Sequence, residues 1–460
     1  MGRKMLSRRN SVAPKRGRFI HQSPIPVKSS HNSSLKRSCF DKSSEINIYT
    51  NAIVNTLWLV FGMGIAQLLM AASVLLTAKQ LGNTQFGEYA ACFSAANLSS
   101  LLFNLGLDTL LLRNGAHEPG KIVNLLRNAF TAKVVAGFPW VAGIVLILPR
   151  LNYYTFSELL VFISALCVWA EGVFSLGLSV FRALLYNKLV SLLLIGIRGG
   201  ILLATLVGIK AGVQSALVYA GIRLAVTTVF TGLTILFLPI KPNIGTIRGL
   251  ISIIKESLPF ALSDLFALIY VQADTTIIAL TLSKDAVGLY APASSLINAL
   301  FVIPNAGFLV AVPILTRTLK TNEQSSRQLL KSISIIFPMV GIILWAFIRN
   351  VSKLMPLVLG PSYSASVPLL EILSPILFLK SCSFAAAAVL IAIGWQRQRA
   401  YIQAATAVVN VVLNFLSVYR FGVRGVAIVY VISEIFLLAG YAVLVIWWIR
   451  KSYNMSSTQE

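Results

Sequence analysis

Charge is scarce in this chain of 460 residues: Asp, Glu, Lys and Arg make up 12% of it, against 57% hydrophobic residues. Soluble domains carry about 25% charge and roughly 45–50% apolar residues, so a string of water-soluble domains is excluded. Acids are scarcest of all, 15 against 39 Lys plus Arg. The surplus bases sit in loops and in a leading segment between long apolar runs, where anionic lipid rather than nucleic acid is the expected counterion. Histidine and cysteine are too few and too scattered to build a metal site or a redox couple: His21, His31 and His117, with Cys39, Cys92, Cys167 and Cys382. The sequence also lacks HExxH, a P-loop Gly-Lys-Ser/Thr, GxSxG and a GxGxxG placed after a strand. These absences argue against a metalloenzyme and a nucleotide-driven pump, and no catalytic residue or cofactor is expected.

What remains is lipid-soluble helix. Residues 1–46 are rich in Ser, Lys, Arg and Pro and contain no apolar stretch of the kind a secretory signal needs; they read as a disordered basic cytoplasmic arm. Beyond them come twelve apolar runs, each long enough to cross a hydrocarbon core that needs about 20 helical residues. They lie near 50–77, 86–112, 130–149, 158–180, 188–208, 213–238, 258–281, 286–313, 332–349, 366–393, 400–419 and 424–449. Runs such as Leu192-Leu193-Leu194-Ile195 are apolar on every side, which excludes a barrel of alternating strands. With the N-terminus inside, cytoplasmic segments hold 28 bases and external loops 8, so both termini are expected in the cytoplasm of a multi-pass plasma (inner) membrane protein.

The chain also repeats itself. Leu81–Gly106 aligns without gaps on Leu282–Gly307, an offset of 201 residues, with eight of 26 positions identical: Leu81/Leu282, Gly87/Gly288, Tyr89/Tyr290, Ala90/Ala291, Ser94/Ser295, Asn97/Asn298, Asn104/Asn305 and Gly106/Gly307. The second copy begins after six runs, an even number, so both copies cross in the same sense. Such parallel repeats are related by an axis along the membrane normal, with the substrate site at their interface. The expected organisation is the arm 1–46, an N-lobe of six spans over 47–238, a cytoplasmic connector 239–257, a C-lobe of six spans over 258–449 and a tail 450–460.

At these repeats the chain resembles the polysaccharide-transporter flippases of the multidrug/oligosaccharidyl-lipid/polysaccharide (MOP) superfamily. The likeness is carried in the first lobe by Ala78-Lys79-Gln80-Leu81-Gly82, Phe86-Gly87-Glu88-Tyr89, Gly106-Leu107-Asp108 and Arg113. In the second it is carried by Gln272-Ala273-Asp274, Val287-Gly288-Leu289-Tyr290-Ala291, Leu359-Gly360-Pro361-Ser362-Tyr363 and Val367-Pro368-Leu369-Leu370. Gly394-Trp395-Gln396-Arg397, Phe421-Gly422-Val423-Arg424-Gly425 and Ser433-Glu434 complete it. The resemblance implies a MATE-like, alternating-access fold. It also implies movement of an undecaprenyl-diphosphate-linked oligosaccharide to the outer leaflet, driven by H⁺ or Na⁺, by a monomer that has membrane lipid and a polysaccharide polymerase or glycosyltransferases as partners.

A flippase must shelter phosphates and sugars from hydrocarbon, where their desolvation costs many kcal/mol. It therefore needs polar helix faces and deep cations. Asn97, Asn104 and Asp108 share one face of the second span, and Asn298 and Asn305 the equivalent face of the eighth. Gln403, Thr406, Asn410, Asn414 and Ser417 form a stripe on the eleventh. At the start of the first, Asn47, Asn51 and Asn55 step by four. These read as glycan-cavity wall, or alternatively as interhelical hydrogen bonding. Arg198, Arg223 and Lys380 lie within spans and are the candidate diphosphate ligands, unless they pair with Glu171, Asp274 or Glu434. Those three acids are the candidates for ion coupling, with Asp274 foremost. Asp108 and Arg113 read as a local pair, and Pro292, Pro304 and Pro375 as bends. Two alternatives stand beside the flippase: a cation-coupled multidrug exporter of the same superfamily, and a membrane glycan polymerase or ligase. The latter lacks an acidic external loop, since Val351 to Ala365 carries neither acid nor His.

Overall fold

The computed structural model describes residues 37–150, 156–239, 245–321 and 323–456. Most of the expected basic arm, and the side chains of Asn47 and Asn51, lie outside the described residues. The chain divides into two compact units, Met1–Asn51 and Ala52–Glu460. Among the described residues there are helices and no strand.

The twelve expected spans are all present as helix. α1 (Arg37–Ser99) holds the first and most of the second, joined through Gly82, whose φ of 71° lies in the left-handed region that only glycine enters cheaply. α2 (Leu101–Asn104) and α3 (Leu107–His117) complete the second. The third to sixth are α4 (Ile122–Ile147), α5 (Glu158–Ala183), α6 (Asn187–Lys210) and α7 (Ala216–Phe237). α8 (Ile247–Thr281) is the seventh and starts well inside the stretch expected to be connector. α9 (Lys284–Leu300) and α10 (Val302–Thr321) form the eighth, and α11 (Glu323–Val351) the ninth. A short α12 (Met355–Leu359) precedes α13 (Ser366–Leu373) and α14 (Ile376–Ala392), which make the tenth. α15 (Gln396–Ser456) holds the last two, again folded back at a glycine, Gly422, with φ 58°.

Two of the three prolines mark breaks. α9 yields to α10 at Phe301, three residues before Pro304, whose ring cannot accept the preceding helical turn unchanged. Pro375 caps α14 where it parts from α13. The break between α1 and α2 falls at Ser100, the repeat partner of Phe301, so the two lobes interrupt equivalent helices at one register. Long apolar side chains such as Phe138, Leu203 and Leu236 point outward and are more than half exposed. On a helical bundle of this length that band faces lipid.

The lobes meet tightly at the end of the bundle that holds Gly82, the end the charge count places outside. A Cβ on Gly87 would lie 1.8 Å from the carbonyl oxygen of Lys284, and one on Gly288 would lie 1.9 Å from that of Asn83. Asn83 and Lys284 are themselves repeat partners, so the contact is symmetric. Glu88 pairs with Lys284 at 3.0 Å, Thr84 donates to Asp285, and the Tyr363 hydroxyl donates to the Ala78 carbonyl at 2.8 Å. The opposite end is joined on one side by α8. There the backbone of Ala261 presses on Gly106, Thr109 donates to Asp264 at 3.1 Å, and Arg113 lies over the Phe260 ring.

Candidate functional site

Three sets of buried polar groups lie within this frame. The first is in the N-lobe. Glu171 on α5 accepts from Arg223 of α7 at 3.0 Å and from Arg198 of α6 at 3.3 Å, through the same carboxylate oxygen. Arg223 is 8% exposed and lies 4.1 Å from the Phe93 ring centroid, whereas Arg198 is 25% exposed and also touches the Met70 sulfur. The two arginines among the three candidate phosphate ligands are thus ion-paired. Two cations share one anion, however, and the cluster keeps one unit of positive charge on its more open member.

The second set is in the C-lobe. Asp274 on α8 accepts from Asn414 at 2.7 Å and from the Tyr290 hydroxyl at 3.1 Å. Asn414 also donates to Asn410 at 3.1 Å, and Asn410 to Ser433 at 3.2 Å. Among the described residues the hydrogen-bond partners of Asp274 are neutral. Nearby, the fully buried Glu434 pairs with Lys380 at 3.2 Å, and Lys380 lies 5.3 Å from the Phe301 ring centroid. One oxygen each of Asn414 and Glu434 is buried without a hydrogen-bond partner. Asn410 and Asn414 are therefore wall residues of this carboxylate pocket, not of an open cavity. Gln403, on the same helix, is half-buried.

The third set went unnoticed in the sequence. Lys133 on α4 is fully buried, donating to Asp108 at 2.6 Å, to the Gly172 carbonyl at 2.6 Å and to Ser175 at 3.4 Å. This corrects the expected Asp108–Arg113 pair: Arg113 stacks on Phe260 instead. Lys133 sits near the end of its apolar run, and linear spacing grouped it with the loop bases. The signal that could have found it is Asp108, a deep acid with no cation one turn away.

A cavity of about 310 Å³ lies between α1 and α9–α10, lined by Val60, Met63, Gln67, Asn298, Phe301 and Asn305 among others. Asn298 and Asn305 thus stand where the repeat placed them. Their first-lobe partners do not: Asn97 bonds back to the Phe93 carbonyl at 2.8 Å, and Asn104 to the Ser100 hydroxyl at 3.2 Å. Lys380 and Arg198 stand one residue back from its lining: Lys380 lies over the ring of Phe301, and Arg198 touches Met70, three residues along α1 from Gln67. No group of three or more His, Cys, Asp or Glu that could hold a metal occurs among the described residues.

Helices that meet tightly at one end of the bundle and part around a polar cleft between α1 and α9–α10, many of them long and apolar enough to cross a membrane, define a multi-pass α-helical membrane protein. Residues 52–319 match the polysaccharide biosynthesis protein family, and the chain belongs to that family. Solved structures give the same fold. An inward-facing multidrug resistance MATE family transporter of the MOP superfamily aligns over 86% of this chain and 96% of its own, with TM-score 0.68 and 15% identity. The lipid II flippase MurJ, inward closed, aligns over 85% and 87%, with TM-score 0.69 and 13% identity. A MOP superfamily transporter from Pyrococcus furiosus, described as having a binding pocket of reverse polarity, covers 89% and 96%, with TM-score 0.57 and 15% identity. No curated protein matches.

Proposed function

We propose that this protein is a flippase for lipid-linked oligosaccharide, carrying an undecaprenyl-diphosphate-linked unit from the cytoplasmic to the outer leaflet of the inner membrane during polysaccharide export. The carrying observation is the cleft between α1 and α9–α10. Carboxamides (Gln67, Asn298, Asn305) suit sugar hydroxyls. Arg198, the more open of the two guanidiniums that share Glu171, supplies positive charge for a diphosphate, while the lipid tail stays in the bilayer. That surplus positive charge favours an anionic headgroup over the cationic cargo of a multidrug exporter. Arg223, more buried and stacked on Phe93, holds Glu171 and so orients Arg198. A proton or Na⁺ entering the Asp274 pocket supplies the driving force, because a carboxylate with neutral partners gains more from discharge than Glu171, which two guanidiniums already neutralise. Glu434, matched by Lys380, tunes the charge at the cleft.

Purified protein in sealed vesicles, given a fluorescent undecaprenyl-diphosphate oligosaccharide, should make that lipid accessible to an outside glycosidase several-fold faster than empty vesicles do. Equal rates with and without protein, under imposed proton and sodium gradients, would refute the reading.

A further inference from the structure

The repeated Gly-x-Tyr of the two lobes, Gly87-Glu88-Tyr89 and Gly288-Leu289-Tyr290, touches two places that the fold otherwise keeps apart. On an α-helix, residues two apart are rotated by roughly 200° and displaced by about 3 Å, so they face opposite ways at nearly one depth. Here one side is the closure between lobes and the other is the lobe's own interior. Gly288 meets the Asn83 backbone with no room for even a methyl group. Tyr290, 1% exposed, turns inward and donates to Asp274 at 3.1 Å. In the N-lobe, Gly87 meets the Lys284 backbone, while the Tyr89 hydroxyl reaches the Arg223 guanidinium that pairs with Glu171. The same device is therefore built twice, on unrelated charge clusters.

We infer that Tyr290 is a positioning residue that links the charge state of the Asp274 pocket to the closure at Gly288, with Tyr89 as its counterpart for the Arg223–Glu171 cluster. This rests on the reading of Asp274 as the coupling carboxylate. A hydroxyl donating to a carboxylate forms a charge-assisted bond, roughly twice as strong as a neutral one. Discharging Asp274 weakens the tie that fixes the first turns of α9. The glycine contact has no slack, so a small rotation of those turns parts the lobes. The other groups facing Asp274 are Asn410, Asn414 and Tyr430 of α15, which hold it from the far side and leave Tyr290 as its tie to α9.

The test uses the full-length chain in nanodiscs, with Cys39, Cys92, Cys167 and Cys382 replaced and spin labels at Gln85 and Ser362, exposed positions on opposite lobes at this end. Gly288→Ala should lengthen the label distance outright, which shows that the pair reports closure. Asp274→Asn, which mimics discharge, should shift the distribution to longer distances. Tyr290→Phe, which keeps the ring and the packing, should produce the same shift, and the double variant should add nothing further. A wild-type distribution in Tyr290→Phe alongside a shift in Asp274→Asn overturns the inference and leaves the coupling role standing. Summed shifts in the double variant overturn it as well, since the two residues would then act separately. If Asp274→Asn leaves both the distances and the ion dependence of transport unchanged, the coupling role falls and this inference with it.

Discussion

Glu171→Gln separates what the N-lobe cluster does for stability from what it does for an anion. One carboxylate oxygen serves both guanidiniums, at 3.0 Å to Arg223 and 3.3 Å to Arg198. Removing that charge strands Arg223, which is 8% exposed, and breaking a buried ion pair from one side costs about 3–5 kcal/mol. Arg198 is a quarter exposed and its loss of a partner belongs nearer the surface range of roughly 0–1 kcal/mol. The variant should therefore lose about 3 kcal/mol, and Arg198→Gln about 1 kcal/mol or less by the same reasoning. Glu171→Gln combined with Arg223→Gln should recover most of the loss, because no deep charge is then left without a counterpart. Denaturant unfolding of the detergent-solubilised protein, arranged as a double-mutant cycle, measures this. Binding gives the opposite sign: with one anion fewer, the cluster should hold a lipid diphosphate about tenfold more tightly, roughly 1.4 kcal/mol. A Glu171→Gln protein as stable as wild type, or a double variant as unstable as the two singles summed, would refute the shared-carboxylate reasoning.

Three further outcomes follow from the geometry. Lys133→Met should destabilise the protein by about 3 kcal/mol or more, because Asp108 loses its counter-charge while the Gly172 carbonyl and Ser175 lose a donor, and Asp108→Asn in the same chain should restore part of it; unfolding of both variants checks the pair. Cysteines at Thr84 and Asp285, whose side chains now touch, should cross-link readily and stop transport until a reductant is added; a cross-linked protein that still transports would show that this end need not open. Asn298→Leu with Asn305→Leu should leave unfolding within about 1 kcal/mol of wild type, since both border open space, yet cut movement of the lipid-linked oligosaccharide at least tenfold in the vesicle assay.

Much of the site was legible in part. The repeat located Asn298 and Asn305 on the cleft, because a shared register carries a shared helix face. It failed for Asn97 and Asn104, which bond within their own helix. A polar side chain has that local option at any register, and only the neighbouring helix decides whether it is taken. The eleventh-span stripe was a true stripe, but Asn410 and Asn414 face Asp274 rather than the cleft. The partners of the three cations fell within the acids named. Which acid served which base was open: one Glu171 for two arginines, Glu434 for Lys380, and neutral donors alone for Asp274.

The sequence by itself determined that the chain is a many-span bundle of helices, because hydrocarbon tolerates only backbones whose hydrogen bonds close within the segment. Apolar length is therefore written in the chain itself. The tertiary structure alone decided who meets whom: Lys133 with Asp108, Gly87 with Lys284, Tyr290 with Asp274, and which seam between the lobes stays parted. Those choices depend on how each helix is rotated about its axis and how closely its neighbours approach, and a glycine or a stray lysine announces neither until the bundle is assembled.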